Sequence, residues 1–349
     1  MRRARHAEAQ PTRTACDAHD LAVFSVDQLM HRPSENMALL TSFQAVNPAF
    51  RVSRARPHTW LAAVAAEVEE VNEVVDGGTV VYDLPDEPAK AGPGARARLA
   101  GEVLDKYFAS SYGPAADPPD ELIHVTCGGS VTPSGAQRMV SERRWPTRVT
   151  HLYRQGGHAA VTAIHTAAAR LRDVERVDIA HTELGSFGTD GARDGMIRYS
   201  IVREQPARGL RLLATHQCTL ADVVDAFTQP PPPTGVPESI ASTLRAFVRE
   251  LFKLAGADLG RLRDAMLAVH PSDPWVLDRV IDVLLLRDEQ VAASRLVVRE
   301  RGELQSATLP HIWMRILDDA TLAPGTLIPS LAFGPGPTLW GALLEKRAG

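Results

Sequence analysis

The chain has 349 residues, 44% hydrophobic and 23% charged, which supplies apolar surface for a sizeable core and length for two domains or two fused half-domains. Its 38 basic and 42 acidic side chains give a formal charge of −4, and only 5% of residues are aromatic, which argues against nucleic-acid and anionic-membrane binding. Three cysteines, Cys16, Cys127 and Cys218, are too few and too scattered for a disulfide framework or a Cys-rich metal site. No apolar region follows the basic start Met1-Arg2-Arg3-Ala4-Arg5, and no run approaches the ~20 apolar residues of a membrane span. A cytoplasmic protein without metal or cofactor is the expectation.

Residues 1–20 read as a loose arm rich in Arg, Ala, Thr and Asp. Helical spacing marks Trp60 to Val75, which Asp76-Gly77-Gly78 breaks before a short strand at Thr79 to Tyr82. A helix is expected from Arg96 to Ser110, then a strand at Leu122 to Thr126 ending in Cys127-Gly128-Gly129-Ser130. Another helix covers Ala159 to Leu171, followed by strands at Val177 to Ala180, Met196 to Val202 and Leu210 to Thr215. Gln229 to Pro237 carries four consecutive prolines and reads as a stiff connector. Beyond it lie helices at Glu238 to Leu254, Leu259 to Ala268, Pro274 to Leu286 and Ala307 to Leu317. A buried strand from Thr326 to Phe333 then runs into Gly334-Pro335-Gly336. Strands alternating with helices indicate an α/β fold.

Four segments carry a resemblance: 125–137 (VTCGGSVTPSGAQ), 150–160 (THLYRQGGHAA), 268–274 (AVHPSDP), and 302–308 (GELQSAT) together with 332–336 (AFGPG). In order and spacing they resemble the signature motifs of the thiolase superfamily, in its ketosynthase III-like and type III polyketide synthase branch, nearest to bacterial α-pyrone-forming enzymes. The resemblance covers roughly Leu39 to the C-terminus. It implies a thiolase fold of two pseudo-duplicated halves, 21–228 and 238–349 joined by connector 229–237, in a layered α-β-α-β-α architecture. It also implies a homodimer or a heterodimer with an active ketosynthase-like chain, and an acyl carrier protein or acyl-CoA as partner.

That family uses a Cys at a buried helix N-terminus as acyl carrier, with a His and an Asn stabilising oxyanions. Here Gly157 stands at the nucleophile position, His270 aligns with the His, and Glu303 stands where the Asn belongs. Glycine carries no acyl group, and an ionised carboxylate repels an oxyanion. The stretch after His181-Thr182-Glu183 also departs from the family, and the regions 75–96 and 184–194 look shortened.

Candidate site residues are therefore His270, Glu303 and His158 for chemistry, and Cys127, Phe333, Gly334, Pro335 and Gly336 for substrate. His158 is a base or a space-filling residue, Glu303 a base or a backbone-bonding group, and Cys127 a small buried thiol or a substitute nucleophile. His151, His158 and His165 recur every seventh residue, but Gly156 and Gly157 interrupt any shared helical face. Arg138, Arg143, Arg144 and Arg148 form a basic cluster, read as a solvated face or a carrier-protein contact. Three functions follow: a pseudo-ketosynthase that partners an active condensing enzyme, an enzyme acting on acyl or malonyl thioesters without a Cys adduct, and, ranked last, an ordinary condensing enzyme with a substitute nucleophile such as Cys127.

Overall fold

A computed structural model of the chain describes residues 38–46, 50–53, 78–81, 93–128, 131–185, 194–203, 208–219, 238–271, 274–334 and 338–347. The N-terminal arm, the Trp60–Val75 helix, the proline connector, the shortened region 184–194 beyond Gly185, and Pro335 and Gly336 lie outside the described residues.

Alternation along the strands sorts apolar side chains onto two faces, since successive residues point to opposite sides. On β4 (Glu121–Thr126), Leu122 joins one buried cluster while Ile123 and Val125 join another. On β10 (Leu327–Phe333), Leu327 and Leu331 go one way and Ile328 and Ala332 the other. Both strands are thus covered on both faces.

The remaining strands are β1 (Ala38–Ala45), β2 (Phe50–Ser53), β3 (Gly78–Val81), β5 (Arg148–Tyr153), β6 (Arg176–Leu184), β7 (Asp194–Arg203), β8 (Gly209–Thr219), β9 (Ala268–Val269) and β11 (Thr338–Arg347). Of the eleven strands described, nine, β4 and β10 included, make one mixed sheet in the order β5-β4-β6-β7-β1-β8-β11-β10-β9, and β2 pairs with β3 separately. Pairing is parallel at β5/β4, β4/β6 and β10/β9, and antiparallel elsewhere.

Helices α1 (Pro93–Ser111) and α2 (Gly135–Glu142) cover the outer face at the β4–β7 end. Helices α4 (Glu238–Leu254) and α5 (Pro274–Leu284) cover the outer face at the β9–β11 end. Between the two ends lie α3 (Ala159–Arg170) and α7 (Thr308–Asp318), in a cluster that draws residues from β4, β6, β7, β10 and β11. The order helix, strand, helix, strand, helix is the layered α/β architecture expected. Alanines 159, 160, 163 and 167 on α3 are fully buried, and their small side chains let strands approach from both sides. Helix α6 (Ala292–Arg301) packs beside α7.

One expected helix is not one. Leu259–Asp264 forms a 3-10 turn capped by Asp258, whose carboxylate accepts from Gly260 N–H. From Met266 onward the chain joins the sheet instead: Met266 N–H donates to Leu327 O and His270 N–H to Leu331 O. The segment's apolar residues satisfy a strand's covered environment better than a helix's stripe. Strands β1, β5 and β11 and helices α2 and α6 carried no sequence expectation; α2 is short and is set by a Ser134/Gln137 capping box.

Candidate functional site

Strand β5 ends at Tyr153, and the chain turns sharply into α3. Arg154 (φ 57°) and Gly156 (φ 63°) both adopt left-handed backbone, which costs a non-glycine residue such as Arg154 about 1 kcal/mol or more. Arg154 N–H donates to Thr126 O (3.0 Å), which holds the turn against the end of β4. Gly156–His158 form a 3-10 turn whose buried Gly157 leads into the helix. The elbow between β5 and α3 thus carries no side chain at its buried position, Gly157.

His270 reaches this elbow from the end of β9, and the residue is 2% exposed. Its Nε2 lies 2.9 Å from Gln305 O and 3.2 Å from Glu303 Oε1. Both partners accept, so Nε2 carries the hydrogen. Nδ1 is buried and has no partner. A Cβ built on Gly157 lies 2.5 Å from His270 Nδ1 and closer still to Cε1 and Nε2. The imidazole therefore occupies the space that any side chain at position 157 needs.

Glu303 does two jobs at once. Its Oε1 accepts Gln305 N–H at 2.7 Å, at the first residue of the 3-10 turn Gln305–Ala307, and the same oxygen faces His270. Of the two roles expected of Glu303, the hydrogen bond to a backbone N–H is present. His158 stacks on Trp340 (ring centroids 5.5 Å, 13° between planes). Burial, with His270 adding to it, pushes its pKa down to about 4, so the ring is neutral near pH 7. Gly334, at the end of β10, admits His158: a Cβ there lies 2.7 Å from Nδ1. Phe333 packs against the α4/α5 core cluster.

Cys127 follows β4, and its N–H donates to both oxygens of Glu183 (2.9 and 3.1 Å). Burial, and then the Glu183 charge, push the thiol far above its ordinary range. A thiol so disfavoured as thiolate is a poor nucleophile.

The tertiary structure thus brings together Gly157, His158, His270, Glu303 and Gly334, with Cys127 just behind the elbow. It does not unite the seven-spaced histidines. His151 sits on β5 and pairs with Ser134 Oγ (2.9 Å), and His165 on α3 pairs with Thr215 Oγ1 (2.8 Å). Among the described residues, no group of three or more His, Cys, Asp or Glu is placed to hold a metal, and no helix is long and apolar enough to cross a membrane. Three of the four clustered arginines have partners within the protein: Arg138 pairs with Asp105, Arg143 donates to Gly113 O, and Arg148 faces Glu121.

Sequence reasoning gave no role to Glu183, Gln305 or Ser306. Glu183 is fully buried and receives Ser306 Oγ–H as well as Cys127 N–H. Burial pushes its pKa up to about 8 against the lowering of those hydrogen bonds. The signal in the sequence was the strand-like stretch 177–184 (VDIAHTEL), in which Asp178, His181 and Glu183 interrupt apolar residues; the structure buries all eight.

Residues 233–347 match the family model of chalcone and stilbene synthases, C-terminal domain. Type III polyketide synthase A of Arabidopsis thaliana is 30% identical over 115 residues, which are 32% of this chain and 29% of that protein. The chain thus matches under a third of that relative's length. A 1,3,6,8-tetrahydroxynaphthalene synthase of Streptomyces griseus is 25% identical over 244 residues, 63% of this chain and 64% of that one. Among solved structures, the C-terminal type III polyketide synthase domain of Steely1 from Dictyostelium superposes with a TM-score of 0.67 at 15% identity, covering 90% of this chain and all of that one. A mutant of CsyB gives 0.68 at 14% identity, covering 89% and 100%. At these identities the superpositions establish the fold alone.

Proposed function

We propose that this type III polyketide synthase-like protein of the thiolase fold is a degenerate, non-condensing copy that works as the partner subunit of an active condensing enzyme. The observation that carries the reading is the His270 ring seated where the nucleophile's side chain belongs. Loss of a thiol alone leaves a vacant site; here the space itself is filled. The His270 Nε2–H points at Gln305 O and Glu303 rather than at a reacting carbonyl. Without a thiol and with a carboxylate in the Asn position, neither acyl transfer to the protein nor oxyanion stabilisation has its group. The fold is retained, and on a retained fold a residual role in assembly is the economical one. The partner is a second condensing chain with an intact Cys/His/Asn set, loaded from acyl-CoA or an acyl carrier protein.

The test is intact-mass analysis and product detection after incubation with acyl and malonyl thioesters, together with co-expression beside an intact family member. The expected result is no adduct, no product and a stable heterodimer. Turnover that disappears in His270→Ala refutes the reading. The 3.2 Å contact between His270 and Glu303 favours one second reading, a His–carboxylate pair that decarboxylates or hydrolyses thioesters without a covalent adduct. Decarboxylated or hydrolysed product without an adduct, lost in Glu303→Gln, identifies it.

A further inference from the structure

Behind the elbow, four fully buried residues from three parts of the chain form an unbroken line of hydrogen bonds: Tyr199 on β7, His181 and Glu183 on β6, and Ser306 in the 3-10 turn before α7. Tyr199 Oη lies 3.2 Å from His181 Nε2, His181 Nδ1 lies 3.0 Å from Ser306 Oγ, and Ser306 Oγ bonds Glu183 Oε1. The far side of the carboxylate is held by Cys127 N–H at 2.9 Å. Each inner link joins two groups that can donate or accept, so the line has two self-consistent arrangements.

With Glu183 ionised, Ser306 must donate to it. His181 then donates from Nδ1 to Ser306, and Tyr199 donates to His181 Nε2. With Glu183 protonated, every bond reverses. The Glu183 O–H donates to Ser306, Ser306 donates to His181 Nδ1, and His181 Nε2–H donates to Tyr199. Each proton shifts one link toward Glu183: Tyr199 passes its own to His181 Nε2 and receives the one proton taken up from solvent, which then points away from His181. Ser306, His181 and Tyr199 end with one each, and no heavy atom needs to move.

We infer that Glu183, Ser306, His181 and Tyr199 form a reversible proton relay in which the protonation state of Glu183 sets the tautomer of His181. The inference stands apart from the proposed function. Glu183 acts here as a positioning residue: Ser306 follows Gln305, whose carbonyl holds the His270 ring over Gly157. Gln305 has φ 49°, so its orientation depends on neighbours that pin the turn.

The groups around the relay favour this behaviour. Cys127 approaches Glu183 from the end of β4, while Ser306 and Glu303 approach from the turn before α7, and the Glu303 charge adds to the effect of burial. Protonation centred near pH 8 places both arrangements within reach of ordinary buffers. His181 is faced by His124 from β4, His311 from α7 and Tyr199 from β7, with Ser306 on its other nitrogen. Burial holds its pKa near 3, so it shuttles between neutral tautomers and does not become imidazolium.

The experiment is long-range 1H–15N correlation of 15N-histidine-labelled full-length protein across about pH 6 to 9, with His181 assigned through His181→Asn. The expected result is an Nε2–H tautomer at low pH, an Nδ1–H tautomer at high pH, and a midpoint near 8. Glu183→Gln keeps the acceptor for Cys127 N–H and presents a fixed donor to Ser306, so the Nε2–H tautomer should persist throughout. Ser306→Ala cuts the line: the His181 tautomer should stop responding while Glu183 still titrates by 13C. A His181 tautomer that ignores pH in the parent protein, or still follows it in Ser306→Ala, overturns the relay.

Discussion

Gly157→Ala is the sharpest perturbation of this site, because one methyl group enters a space already filled. Its Cβ lands 2.5 Å from His270 Nδ1, and nearer to two other ring atoms, well inside van der Waals contact. The ring cannot swing freely: it is 2% exposed and bonded through Nε2 to Gln305 O. Overpacking of this kind costs about 1–3 kcal/mol, and displacing the ring gives up a hydrogen bond of about 1 kcal/mol. A loss near 3 kcal/mol follows. With about 2.1 cal/mol/K of unfolding entropy per residue over 349 residues, that lowers Tm by about 4 °C. The assay is calorimetry or urea unfolding of a four-member cycle of the parent, Gly157→Ala, His270→Ala and the double variant. In the His270→Ala background the methyl has room, so the cost should fall below ~1 kcal/mol, a coupling of about 2 kcal/mol. A Gly157→Ala protein as stable as the parent, or a penalty unchanged without the ring, refutes the claim that His270 fills the nucleophile's place.

Stability should peak near pH 7. His124 and His181 have pKa values pushed down to about 3, and His158 and His311 to about 4, from 6.5 by burial. The folded state therefore binds fewer protons than the unfolded chain, and stability is lost as pH falls below 6.5. Glu183, raised from 4.5 to about 8, works in the opposite sense, and its stabilisation fades as pH rises toward 8. Thermal melts from about pH 5 to 9 should show both flanks, and Glu183→Gln should remove the alkaline one. A flat profile contradicts the burial argument. Asp178 is fully buried and is bonded by Tyr112 (2.8 Å), Ser200 (2.7 Å), Arg198 (3.1 Å) and Arg176 (3.2 Å). Asp178→Ala strips the buried hydroxyls of Tyr112 and Ser200 of their acceptor and takes an ion-pair partner from the half-buried Arg198 and Arg176, so it should cost about 3 kcal/mol or more in urea unfolding, and Asp178→Asn less. Cys127 should resist iodoacetamide at pH 8 in the native protein and react normally in urea, read by peptide mass mapping. Fast native labelling would contradict its raised pKa.

The strand β4 and the helix α4 were legible because a continuous apolar run and a 3.6-residue stripe survive any tertiary setting. The 259–268 segment was misread because its fate depends on hydrogen bonds to β10 and to Gln290, elements distant in sequence. That Gly157, His270 and Glu303 belong to segments resembling family motifs was readable as an expectation, from the order and spacing of those segments. What those residues do was not. A glycine in sequence records only a missing side chain; the ring seated over it comes from a strand more than a hundred residues away. Glu183 and Ser306 stand 123 positions apart, and nothing in either local sequence says that they touch. The sequence by itself determined the α/β class, through strands alternating with helices, and the presence of a glycine at position 157. Only packing decided that the vacancy is filled and that a carboxylate lies buried behind it, because contact and desolvation belong to the folded chain and not to any stretch of it.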